Sequence, residues 1–191
     1  LLFVTMLAAV FALRRLGDFD TWWHLAAGRW IVEHASVPRT DTLSYTVPTH
    51  AWTNLQWLYD VLLYGLYRLG GADVLVVCAT ACFAAAIWIA LRTAARFCGP
   101  VATSVFGVAA VLIAEERFLI RPEMLSFILF GLVLRLLMTA RDNDGRGLRN
   151  LPILFALWVN THALFIVGLV ALGAFVVGAL IGRVGALPSQ W

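Results

Sequence analysis

Six apolar runs, at residues 1–16, 55–69, 72–91, 100–114, 124–140 and 151–182, constrain this chain more than any other feature of its sequence. A backbone inside lipid must satisfy its own N–H and C=O groups, so only helices and closed barrels cross a membrane. Several runs approach the ~20 residues that a helix needs to cross a ~30 Å hydrocarbon core. None alternates with the period of two that a barrel strand requires. The sequence therefore predicts an all-α fold, a polytopic transmembrane helical bundle, with 1–191 as a single transmembrane domain. Charge agrees: 13% of the 191 residues are charged, where a soluble domain carries about 25%. Because the chain starts at Leu1 inside an apolar run, it is read as the N-terminal part of a longer protein.

All the basic side chains are arginines, which excludes lysine nucleophiles and Schiff bases from this stretch. A scattered net charge of +3 argues against nucleic acid as a partner. Three cysteines, Cys78, Cys82 and Cys98, suit small apolar packing better than a disulfide framework or a metal site.

Arginines in short loops set the orientation, because cytoplasmic loops carry the basic excess. Arg141, Arg146 and Arg149 place the 141–150 loop inside; counting back places 115–123 outside and Arg92 with Arg96 inside. The loop after the first run then lies outside only if 55–69 does not cross. That run is short, and Asp60 sits at its middle. Gln56, Asp60, Tyr64 and Arg68 form one polar stripe, as expected of an amphipathic helix on the outer surface, begun by a Thr53–Gln56 capping box with Trp52 stapled to Trp57. A second surface helix is expected over 20–35, with Asp20 as N-cap and Trp22, Trp23 and Trp30 anchoring it at the interface. Residues 17–71 thus form an extracytoplasmic loop with two membrane-parallel helices. In the last run, Asn160-Thr161-His162 favours a broken pair of helices over one long tilted helix, returning Arg183 to the cytoplasm.

Three groups of residues offer chemistry on the outer side. Asp18 and Asp20, one residue apart, suit a general base or a divalent-cation site, with His24 positioned to orient a phosphate or hydroxyl. The bland alternative is a helix cap beside a solvated loop residue. Arg117 and Arg121 suit a phosphate clamp, with Glu123 beside them; equally, Pro122 and Glu123 begin a helix while Glu115 and Glu116 face water. Asn160 and His162, polar at membrane depth, either line a cavity or bond between helices.

The stretch "DTWWHLAAGRWIVEHA" after the first run resembles the pattern found after the first span in GT-C integral-membrane glycosyltransferases. The nearest subset is that of bacterial protein mannosyltransferase and aminoarabinose transferase relatives. Asp20 aligns with the family's acid, His24 with a tyrosine, Gly28 with an alanine and Arg29 with an arginine; "PRTDTLSYT", "RPE" and "WVNTH" are also similar. Thr21 stands where the family carries a second acid. The resemblance implies a GT-C-like bundle in the bacterial cytoplasmic (inner) membrane, active face outward, using membrane lipid and a polyprenyl-phosphate sugar donor. It implies Asp20 as catalytic base and Asp18 as helper or as ligand to Mg or Mn. His24, Arg117, Arg121, Glu123 and His162 would bind substrate. The competing expectation is a non-enzymatic transporter or lipid-binding envelope protein; a transporter, however, concentrates ionisable groups at the midplane.

Overall fold

The computed structural model describes residues 1–47, 49–140 and 145–185. Seven α-helices and two short 3-10 turns make up the regular structure among these residues, with no strand. Helices α1 (Leu2–Ala12), α2 (Asp20–His34), α3 (Trp57–Ala94) and α4 (Pro100–Ala114) precede a 3-10 turn at Glu115–Arg117. Then follow α5 (Glu123–Ala140), a second 3-10 turn at Arg146–Asn150, α6 (Leu151–Thr161) and α7 (Phe165–Gly185). Helices α3, α5 and α7 are long and apolar enough to cross a membrane. Arg141 and the side chains of Arg146 and Arg183 lie outside the described residues.

Two patches of buried side chains hold the bundle together. In the first, Val4, Ala8 and Ala12 of α1 pack with Leu75, Ala79 and Phe83 of α3 and Val111 of α4. Gly107 lets α4 approach, since a Cβ there would fall 2.6 Å from Leu91 Cδ2. In the second, Val133 and Leu137 of α5 meet Leu151 and Trp158 of α6, with Phe165 and Leu172 of α7 against them. The outer face of α7 stays exposed and apolar, with Val170 and Ile181 at 66% and 67% exposure. Such a face suits lipid, not water.

The expected boundary between 55–69 and 72–91 falls at a break inside α3. Gly71 has φ +64 and ψ −150, a conformation open only to glycine, and it separates an arm (57–69) from a rod (72–94). The last run is indeed broken: His162 leaves helical geometry with φ −166 and ψ 146 between α6 and α7.

Local details depart from expectation at four points. Asn54 Oδ1, not a Thr53 hydroxyl, accepts the Gln56 N–H at 3.1 Å, and no side chain caps α3, so the capping box is not formed. Asn54 wins because its shorter route to the amide closes an Asx turn. Asp20 lies inside α2 and does not cap it; Asp18 Oδ1 accepts the Asp20 N–H at 3.2 Å. Trp52 packs edge-on against Trp23, 6.3 Å between ring centroids, and Trp57 instead donates its indole N–H to Asn160 Oδ1 at 2.8 Å. Finally the polar stripe of the arm divides, because α2 lies on it. Asp60 is fully buried, and a Cβ on Gly28 would meet the Asp60 carbonyl at 2.1 Å, while Arg68 remains exposed. Of the cysteines, Cys78 and Cys82 are half-buried, but Cys98 is exposed beyond the end of α3.

Candidate functional site

The link from α1 to α2 carries Asp18 to the segment that precedes α5. There Arg121 donates Nε to Asp18 Oδ2 at 2.5 Å and Nη2 to Asp18 Oδ1 at 3.0 Å, a two-pronged pairing across 103 residues of sequence. The same Nη2 lies 3.0 Å from Asp20 Oδ2. One guanidinium thus bridges two carboxylates, leaving its Nη1 N–H groups without a protein partner among the described residues. Asp18 is nearly sealed, its side chain 7% exposed, whereas the Asp20 side chain is 46% exposed and opens to solvent. The Arg121 bonds hold the Asp18 carboxyl below the usual carboxylate range against the opposing effect of burial. The Asp18 bond in turn raises the Arg121 pKa.

Thr21 secures the same junction from one residue further on. It is fully buried, and its hydroxyl donates to the Ile120 carbonyl at 3.3 Å, stitching the first turn of α2 to the segment that carries Arg121. Glu123 and His162 stand nearby. The charge of Glu123 acts on both Arg121 and His162, and Glu123 Oε1 is sealed with no hydrogen-bond partner among the described residues. It sits in the first turn of α5, where the helix dipole favours a carboxylate. His162 Nδ1 is 2.9 Å from Ser126 Oγ, which also receives the Trp158 indole N–H at 2.8 Å.

His24 turns inward from this opening. Its Nδ1 is 2.6 Å from Asp60 Oδ1, both side chains almost wholly buried, and Asn54 Nδ2 donates to the other Asp60 oxygen at 2.7 Å. Tyr59 packs edge-on against the His24 ring, with its own hydroxyl buried and unpartnered among the described residues.

Among the sequence candidates, Asp18, Asp20 and Arg121 touch one another. Glu123 and His162 belong to the same end of the molecule, and His24 is one helical turn beyond Asp20. Arg117 is exposed at the end of the 3-10 turn, and no hydrogen bond or ion pair engages it among the described residues. Glu115 does not simply face water; it pairs with Arg14 at the end of α1. Sequence reasoning missed Asn54, Ser126 and Trp158 as holders of the two histidines. Asp60, central in an apolar run, and Asn160 with His162 in another were the sequence signals of these polar networks.

A cation bound between Asp18 and Asp20 would have to displace the guanidinium that already bridges them. No group of three His, Cys, Asp or Glu side chains arranged for a metal exists among the described residues. That donor set, already bridged by the Arg121 guanidinium, does not fit a resident Mg or Mn ion. Comparison with known protein families, curated proteins and solved structures gave no match.

Proposed function

We propose that this chain acts in a bacterial inner-membrane glycosyltransferase. It would transfer a sugar from a polyprenyl-phosphate donor to an acceptor on the outer face. The observation that carries this reading is the bridge from Arg121 to Asp18 and Asp20, formed between two loops on the side that the arginine pattern assigns to the exterior. It produces a solvent-open carboxylate, Asp20, beside a cation with N–H groups to spare.

In this mechanism the acceptor hydroxyl gives its proton to Asp20 as its oxygen attacks the anomeric carbon. The new C–O bond forms as the bond to the lipid phosphate breaks on the opposite face, and the electron pair leaves with the phosphate. The free Nη1 of Arg121 and the unengaged Arg117 are the groups suited to stabilise that departing charge. Asp18 holds Arg121 in place and is a positioning residue.

The test is sugar transfer by the purified full-length protein from a panel of polyprenyl-phosphate sugars. Asp20→Asn is expected to lower turnover by about 10²-fold or more. No transfer from any donor, or equal turnover by the variant, would overturn the reading.

Lipid binding without turnover is the second reading. An apolar cavity of about 470 Å³ between α3 and α5, lined by Phe83, Ile87, Phe97, Phe130 and Met138 among others, favours it. Stoichiometric binding of a lipid-linked sugar with no product would distinguish it.

A further inference from the structure

We propose that His24 and His162 are fixed in opposite tautomers, so that His24 presents a lone pair and His162 an N–H to the hydroxyl groups of a sugar. The inference rests on the transferase reading for the class of its ligand, and on two separate hydrogen-bond chains for its chemistry.

The first chain begins at the backbone. The Gln56 N–H donates to Asn54 Oδ1, which fixes the orientation of that amide and turns Nδ2 toward Asp60. Asp60 Oδ2 therefore accepts. The carboxylate is fully buried and its other oxygen faces His24 Nδ1 at 2.6 Å. An ionised carboxylate can only accept, so Nδ1 donates to it, and in the neutral ring that this proposal assigns to His24 the lone pair is on Nε2. No group among the described residues engages Nε2, and it is not one of the sealed orphan atoms, which there are Tyr59 Oη and Glu123 Oε1. Nε2 is thus unpartnered on a side chain that keeps only 3% of its surface exposed, so a ligand would reach it through a narrow opening.

The second chain runs the other way. Indole can only donate, so Trp158 Nε1 gives its proton to Ser126 Oγ. Ser126 is 2% exposed, and among the described residues its single hydroxyl proton has one acceptor within reach, His162 Nδ1. A buried hydroxyl proton left unused is costly, so His162 Nδ1 accepts and its ring proton moves to Nε2.

The two rings belong to one region. Trp57, three residues before Asp60, bonds Asn160, two residues before His162. A lone pair beside an N–H is the complement of hydroxyl groups, which both donate and accept. A bare anion would use only the N–H.

The experiment uses full-length protein in lipid nanodiscs with ¹⁵N-labelled histidine. His34→Gln and His50→Gln assign the two remote signals. His24 should give the Nδ1–H pattern and His162 the Nε2–H pattern, and Ser126→Ala should remove the preference at His162 alone. Methyl glucoside or methyl mannoside should then shift both Nε2 signals, while inorganic phosphate should shift His162 at most. Matching tautomers, or a doubly protonated His24, would overturn the assignment. Phosphate shifting both signals, or no shift with either glycoside, would overturn the ligand class. Glycoside shifts in a protein that transfers no sugar would retire the transferase reading and leave this one standing.

Discussion

Asp18 and Arg121 make the electrostatics of this chain directly measurable. The folded-state pKa of Asp18 is depressed, so its contribution to stability is complete above the ordinary carboxylate range and is lost as pH falls through the depressed value. With Asp18 sealed and Arg121 partly in water, the pair should contribute about 1–2 kcal/mol, between surface and buried pairs. Thermal unfolding in detergent should therefore show Asp18→Asn below wild type near neutral pH, with the gap closing in acid. A pH-independent gap would mean the pair contributes nothing. Thr21 gives a second test. Replacement by glutamate would give the adjacent acids of the pattern that this stretch resembles, yet the Thr21 side chain is fully buried and bonded to a carbonyl. Thr21→Glu should destabilise by several kcal/mol through an unpaired buried carboxylate, visible as a fallen Tm; an unchanged Tm would refute the placement. Both sides of the Asp18–Arg121 bridge were legible in the sequence as charged clusters on one face of the membrane. The bond between them was not, since topology gives a side and not a partner. His24–Asp60 was hidden for a related reason: a helical wheel shows that Asp60 shares a stripe with Arg68, but not that α2 covers half of it.

Between elements, contact is closest where α2 crosses the arm of α3. Gly28 is the reason. A methyl group there would enter the space of the Asp60 carbonyl and of Tyr64 Cβ, at 2.1 and 2.9 Å. Gly28→Ala should push the helices apart and cost about 1–3 kcal/mol or more, the scale of overpacking a core. It should also weaken the bond between His24 and Asp60, since that bond joins the same two helices; circular-dichroism melts and the His24 ¹⁵N signal report the two effects separately. A normal melt would show that the gap is wider than described. Most helix limits followed from apolar length, as in α4, where the run 100–114 and the helix coincide. Caps followed less well. Thr53 and Gln56 have the spacing of a capping box, but Asn54 lies between them and reaches the Gln56 amide first.

Across the whole molecule, the Asp18–Arg121 bridge and Cys98 stand at opposite ends of the α3 rod and α4. A topology with the bridge outside therefore places Cys98, exposed after α3, on the cytoplasmic side. A membrane-impermeant maleimide should label Cys98 in inverted vesicles and not in intact spheroplasts. A cysteine introduced at the exposed Arg117 should show the reverse, and exchanged patterns would invert the topology. The glycine break in α3 bears on how such a molecule tolerates its surroundings. Membranes differ in thickness by a few ångströms, and spanning helices tilt to match them. Asp60 and Tyr59 ride on the arm and Gly71 turns the chain into the rod, yet Tyr59 and Leu63 share one buried cluster with Leu75, Ala79 and Phe83, so the break sets the angle between two parts of one packed core. Tilt of the rod would then pass through that core toward the pair of Asp60 and His24, which ties their alignment to the thickness of the surrounding bilayer.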